Sequence, residues 1–353
     1  MRPAELLDQM ERQGIRSLAL IGSSKNAGKT TVLKHLIRTA SGKDHFPPLA
    51  LTSIGVDGEG EDVVTGGVKP RIWLPESCWI ATARESLRRS DALLEIRAMT
   101  GIESNYGEIV LAQAVSPGFV ELAGPSMAQE LRHCERLLRE LEPDCLFLVD
   151  GALSRRSPAG GGLSEAAILA VSCFSLAEPE KLVQESIHAT RLLTLPLADP
   201  SSLEILRQRL EKEPKLRALK EIEPGIWQGW EAETLLGEEE SSSAFMGGDE
   251  LSLCLRGALT SSLFRRLLRE KGKKLRRLIV EDGTRLFISE RDWMEGQRQG
   301  LKIEFLHPLK VLMLAVNPCR RDGSQAESDA LVDELSKALA PLPVVDWGPA
   351  LED

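Results

Sequence analysis

The sequence predicts an α/β fold: a mostly parallel sheet covered by helices, with a second, smaller α/β domain after it. Three observations predict it. Apolar runs of strand length alternate with helical stretches through the first half of the chain. The segment "IGSSKNAGKTT" (Ile21–Thr31) joins the first apolar run to the first helical stretch. A later apolar run, "CLFLVDG" (Cys145–Gly151), leads into an aspartate.

The elements follow in order. Ser17–Ile21 ("SLALI") is short, apolar and bounded by polar residues, as a buried strand is. Val32, Leu33, Leu36 and Ile37 recur at helical spacing, with Lys34 and Arg38 between them. Leu49–Ile54 reads as the second strand and Ser77–Ala83 as another. Ile109–Val115 and Phe119–Leu122 flank "SPG" and read as a hairpin. Ser126, with Gln129 three residues on, opens a helix as a capping box; Met127, Leu131, Cys134, Leu137, Leu138 and Leu141 form its apolar stripe. The Asp150 strand comes next, then a strand over Ile168–Cys173 and a helix over "EPEKLVQESIHATRLL".

These elements place a first domain over residues 1–196. Residues 197–249 read as a charged helical or flexible connector, with "RLEKEPKLRALKEIEPG" and "GEEESSSAFMGGDE". A C-terminal α/β domain is expected over 250–353, from strand-like Leu251–Leu255, Arg277–Val280, Arg285–Ile288 and Val311–Val316 and a helix over Asp329–Leu339. Within it, "RGALTSSLF" makes a strand-to-helix turn, read either as a small-anion site or as plain capping by Thr260.

Composition excludes several function classes. With 353 residues and a net charge of −9, the chain is not built to hold nucleic acid by bulk electrostatics. The basic run "RRLLREKGKKLRR" (Arg265–Arg277) reads as the solvated face of a helix. Six scattered cysteines without a C-x-x-C pair argue against a disulfide framework or a zinc site. Five histidines show no metal spacing. The start, "MRPAELLDQMERQGIRS", lacks a signal peptide's apolar core, and no apolar run approaches the ~20 residues of a membrane span. A cytoplasmic setting, away from membrane and nucleic acid, is expected.

The chemistry lies in the glycine-containing loop. The phosphate-loop pattern G-x-x-x-x-G-K-[ST] ends at Gly28-Lys29-Thr30, but its first glycine falls on Ser23, with Gly22 one step early. The strand–loop–helix context is what the motif requires. Backbone N–H groups of the loop and of the first helical turn then point at phosphates. Gly22, Ser23, Ser24, Lys25, Asn26, Ala27, Gly28, Lys29, Thr30 and Thr31 are the expected nucleotide-binding residues. Lys29 places its ammonium against the outer phosphates, Thr30 offers a hydroxyl to Mg²⁺, and Gly28 permits close backbone approach. Lys25 adds a second cation. Gly22 is expected to absorb the sharp turn before Ser23.

Asp150, at the end of an apolar strand, is where a phosphate-loop enzyme keeps the carboxylate for Mg²⁺. Lys29, Asp57 and Asp150 are therefore the candidate catalytic residues, with Thr30 and Asp150 as metal ligands. Asp57 comes from "LALTSIGVDGEGED", where it is the nearest acid to the strand end among Asp57, Glu59, Glu61 and Asp62. A solvated loop is the plain alternative for each of these four. Together the features predict a P-loop NTPase using ATP and Mg²⁺. ATP is favoured over GTP because no Asn-Lys-x-Asp stretch for guanine occurs.

The segments "KNAGKTTVLKHLI", "LALTSIGVDGEGED", "VKPRIWLP", "GFVELAGPS", "LVDGALSRRS", "VEDGTRLFIS" and "AVNPCRRDG" span nearly the whole chain. In them the chain resembles the P-loop subunit of the proposed reactivase for adenosylcobalamin-dependent lysine 5,6-aminomutase. The resemblance implies that Ser23–Thr31 is the nucleotide loop and Asp150 the second nucleotide motif. It also implies two partners: a MutS-like companion ATPase, and a cobalamin-dependent lysine or ornithine aminomutase whose damaged cofactor is exchanged. "KNAGKTT" is similar as well to the GTP-binding adaptors of molybdopterin-guanine-dinucleotide biosynthesis, which are shorter. A small-molecule kinase, an ATP-dependent ligase resembling dethiobiotin synthase and a non-catalytic nucleotide-binding scaffold are the other readings.

Overall fold

The computed structural model describes residues 1–24, 26–54, 71–152, 162, 164–173, 179–231, 250–269, 274–320, 324 and 328–348. They form an α/β structure of two compact units. One unit comprises Met1–Ala159, Leu163–Thr190 and Lys310–Asp353; the other comprises Gly160–Gly162 and Arg191–Leu309.

The first unit opens with helix α1 (Pro3–Arg12), strand β1 (Ser17–Gly22), helix α2 (Lys29–Ser41) and strand β2 (Leu49–Ser53). Strands β3 (Ile72–Leu74) and β4 (Trp79–Ala83), the single turn α3 (Arg84–Leu87), and strands β5 (Leu94–Ser104), β6 (Gly107–Ala114) and β7 (Gly118–Val120) follow. Next come helix α4 (Ala128–Leu141), strands β8 (Leu146–Ala152) and β9 (Ala166–Ser172), and helix α5 (Pro179–Leu193).

The second unit carries helix α6 (Pro200–Lys212), strands β10 (Leu216–Glu223), β11 (Ile226–Glu231), β12 (Glu250–Leu255) and β13 (Leu259–Thr260), and helix α7 (Ser261–Arg269). Strands β14 (Lys274–Val280) and β15 (Leu286–Phe287), helix α8 (Glu290–Arg298) and strand β16 (Lys302–Phe305) complete it. Strand β17 (Lys310–Asn317), helix α9 (Ser328–Leu339) and strand β18 (Val344–Val345) belong to the first unit again.

The first unit is built on a nine-stranded sheet in the order β18-β17-β9-β1-β8-β2-β4-β6-β5. The seven strands from β18 to β4 run parallel. Every residue of β1 and of β9 is buried, which requires cover on both faces. Leu6, Leu7 and Met10 of α1 and Val32, Leu33, Leu36 and Ile37 of α2 share one core with Leu18, Leu20, Leu51 and Leu148 of the strands.

Some local expectations give way to tertiary pairing. β6 and β7 do not form a hairpin with each other. β6 pairs antiparallel with β4 and with β5, while β7 pairs with β3. β5 is an edge strand whose residues are mostly exposed, although Leu94, Ile96 and Ala98 alternate with Glu95 and Arg97. Helix α4 begins two residues after Ser126, and Glu130 rather than Gln129 closes its start, accepting from the backbone N–H of Ser126 (3.2 Å) and Met127 (3.0 Å). Of its expected stripe, Leu131, Cys134 and Leu138 are buried, whereas Met127 and Leu141 are exposed.

The expected boundaries at 196 and 250 differ from the observed division. Strands β17 and β18 return to the first sheet, where β17 pairs in parallel with β9 and β18 with β17. Most of the expected connector is structured: α6 is capped by Asp199, whose carboxylate accepts from Ser202 N–H, and β10 and β11 form an antiparallel pair. Its 232–249 stretch lies outside the described residues. The second unit's sheet runs β11-β10-β12-β14-β16, with β12, β14 and β16 parallel. The basic run is split between α7 and β14, so it is not one helical face. Arg277 of β14 bonds Glu304 (2.5 Å) and Asp199 (2.6 Å). Thr260 caps α7 through Leu263 N–H (3.4 Å). No helix among the described residues is long and apolar enough to cross a membrane.

Candidate functional site

β1 lies between β8 and β9, both parallel to it, and its ladder to β9 runs one residue into the loop. Ser23 N–H donates to the Ala170 carbonyl at 2.8 Å. Gly22 is therefore the last residue of the strand and not the turn expected of it. The turn is made further on, at Asn26 (φ 61°) and Gly28 (φ 96°), both left-handed. Asparagine tolerates that region better than most side chains, and glycine has no Cβ to oppose it. Lys25 lies outside the described residues.

Gly28 is the N-cap of α2, and the first intrahelical bond runs from Val32 N–H to Gly28 O at 3.0 Å. The N–H groups before Val32 thus have no i−4 helical acceptor, and the positive end of the helix dipole faces the loop. Lys29, Thr30 and Thr31 form this first turn, each partly exposed, while Ala27 is buried.

Asp150 stands near the end of β8, which is flanked by β1 and β2. It pairs in register with Ser53, its carbonyl accepts Ile54 N–H at 2.8 Å, and its Oδ1 accepts Gly151 N–H at 2.7 Å. Gly151 has a φ of 98°, at the point where the register of β8 shifts against β1. Burial pushes the Asp150 carboxyl above the usual carboxylate range, against the pull of Lys29 and the Gly151 N–H. Burial likewise holds the Lys29 ammonium below its usual value, against the pull of Asp150. Lys29, at the head of the helix that follows β1, and Asp150, near the end of the adjacent parallel strand β8, thus act on each other's charge although far apart in sequence. Asp57, with Glu59, Glu61 and Asp62, lies outside the described residues.

Two features of this region have no motif in the sequence. The first is the crossing of Leu122–Gly124 over the ends of β2 and β4. Ser53 Oγ donates to Leu122 O (3.1 Å), Gly124 N–H donates to Ser53 Oγ (3.1 Å), and Ala123 N–H donates to Thr82 Oγ1 (2.8 Å). A Cβ on Gly124 would lie 2.1 Å from Ser53 O, so only glycine fits this approach. The second is Asn317, the last residue of β17. Its amide donates to Asn26 O at 3.1 Å, and its Oδ1 accepts from Cys319 N–H at 3.1 Å. Beside it lies a cavity of about 260 Å³ bounded by α2 and by the segments following β17 and β18.

Comparison of the chain with protein families, with curated proteins and with solved structures found no match.

Proposed function

We propose that the chain is a P-loop NTPase that binds Mg²⁺-ATP on the Ser23–Thr31 loop and hydrolyses it in step with a protein partner. The observation that carries the nucleotide half is the placement of Lys29 in the first turn of α2, after the β1 loop, with Asp150 near the end of the adjacent parallel strand β8. Each group is short of counter-charge. A partly buried carboxyl with a raised pKa favours a cation beside it, and a partly buried ammonium with a lowered pKa favours an anion. A phosphate chain with its Mg²⁺ has this pattern of charge, so the residues present fit the group. Mg²⁺, when bound, supplies charge neutralisation at the phosphate oxygens.

The chain's own groups divide the remaining work. The first-turn N–H groups of α2 and the Lys29 ammonium bind and orient the phosphates. The Thr30 hydroxyl and the Asp150 carboxylate would hold the metal. Gly28 lets the backbone approach the ligand.

The partner half of the proposal rests on the resemblance in sequence. On that reading the protein is a reactivation factor for a cobalamin-dependent lysine or ornithine aminomutase, acting with a MutS-like companion ATPase. Nucleotide binding and release then bias a two-state partner complex. The test mixes inactivated aminomutase, ATP, Mg²⁺ and free adenosylcobalamin, with and without this protein and the companion. Recovery that requires ATP and is lost with Lys29→Ala is the expected result. No recovery, together with rapid ATP turnover on a small carboxylate or amine, assigns the site to a kinase or ligase instead.

A further inference from the structure

We infer that the cavity between α2 and the segments after β17 and β18 receives the purine base of the nucleotide. The inference rests on the phosphate-binding reading of the Ser23–Thr31 loop and adds the other half of the ligand.

The cavity begins at that loop. Gly28 and Thr31 line it, and a Cβ on Gly28 would come within 3.2 Å of Asn317 Cβ on the facing wall. A ligand with phosphates over the first turn of α2 therefore has an opening beside it, on the same side as β17. Both ends of the Asn317 amide are engaged, with Asn26 O and with Cys319 N–H. This makes Asn317 a positioning residue, tying the turn of the loop to the cavity wall.

The walls suit a flat heterocycle. Val32, Ala315 and Val316 are buried apolar residues that line it. Trp347 is held in place by its Nε1–H on Met1 O (3.0 Å) and by an edge contact with His35, ring centres 5.7 Å apart. The polar edge comes from Asp346. Its Oδ1 accepts from Gly348 N–H (2.7 Å) and its Oδ2 from Ser328 Oγ (2.5 Å). Each carboxylate oxygen keeps a further acceptor site for the N–H groups on a base edge. Among the described residues the lining holds an acid and no lysine or arginine, which does not suit a second phosphate. At about 260 Å³ it falls just below the ~300–1,000 Å³ of pockets for larger small molecules, which suits one base and part of its sugar.

Cys319 lines the cavity and is partly exposed, whereas the other five cysteines are buried. It therefore reports occupancy. The experiment follows the rate at which a thiol reagent modifies Cys319 in the full chain, with Cys319→Ser fixing the assignment. Mg²⁺ is present throughout with ATP, GTP, CTP or inorganic tripolyphosphate, and the melting temperature is recorded in parallel. The expected result is that ATP or GTP slows modification at least about tenfold. Tripolyphosphate should raise the melting temperature without slowing modification, and Cys319→Phe should weaken purine nucleotides while sparing tripolyphosphate. If ATP and GTP raise the melting temperature but leave Cys319 as reactive as before, the base lies elsewhere and the phosphate reading stands. Protection by CTP equal to that by ATP overturns the purine assignment. If no triphosphate and no tripolyphosphate shifts the melting temperature, the phosphate reading itself fails and the inference falls with it.

Discussion

Lys29 and Asp150 carry opposite charges at a cost, because each is partly withdrawn from water and neither fully compensates the other. Removing the cation should weaken Mg²⁺-ATP binding by about 10- to 150-fold, the ~1.5–3 kcal/mol of a hydrogen bond to a charged group. Calorimetric titration of folded Lys29→Ala checks this, and an unchanged Kd would sink the site assignment.

Asp150 behaves differently because burial raises its folded pKa above the usual carboxylate range. Asp150 is therefore costlier to ionise in the folded chain than in the unfolded one. Its contribution to stability is full below the unfolded pKa and lost as pH rises through the folded pKa. At neutral pH the ionised carboxylate is a net cost, so Asp150→Asn should leave the free protein at least as stable. The same change should abolish the added stability from Mg²⁺-ATP, ~2.7 kcal/mol at a hundredfold excess over Kd. Wild-type binding should weaken on acidification at a pH above that of an ordinary carboxylate, and Asp150→Asn should flatten the dependence. Melting curves and titrations across pH read both effects.

At the scale of elements, the loop and the strand ends owe their shape to backbone groups held close together. Ser23 spends its N–H on Ala170, and its side chain is only partly buried. Ser23→Gly should therefore change stability by no more than about 0.5 kcal/mol. Ser23→Leu should reduce nucleotide affinity by crowding the loop, measured against Ser23→Gly in the same titration. Gly124 is less forgiving. Alanine there would set its Cβ 2.1 Å from Ser53 O, so the two backbones must move apart, costing about 1–3 kcal/mol. Because Ser53 pairs with Asp150, the displacement should also weaken Mg²⁺-dependent binding. A Gly124→Ala protein with wild-type melting and wild-type affinity would show that the crossing segment has no hold on the site.

For the whole molecule, the decisive fact is that the first sheet is finished by the last part of the chain. β17 covers the edge of β9, and β18 extends it. A fragment ending at residue 196 would leave β9 as an edge strand, paired only with β1 and mostly apolar in sequence. It should aggregate or fail to melt cooperatively, although it contains the whole loop and Asp150. A cooperative, nucleotide-binding fragment 1–196 would overturn this account of the fold.

Much of the site was legible in sequence where the cause is local. An apolar run bounded by polar residues marks β1 and β8, and heptad-like spacing marks α2. Glycine and lysine at the head of that helix mark the loop, because burial and helical period act over a few neighbouring residues. What the sequence alone determined is therefore the α/β class and the positions of Lys29, Thr30 and Asp150 on their elements. Tertiary structure alone decided the rest. It made β8 the neighbour of β1, which couples Asp150 to Lys29. It brought Asn317 to Asn26 across 291 positions, closing a cavity no local pattern announces. It paired β6 with β5 and β4 in place of β7. The physical reason is that the order of parallel strands is set by non-local hydrogen bonding and by which faces the crossovers must cover, and neither is written in the residues of any one strand.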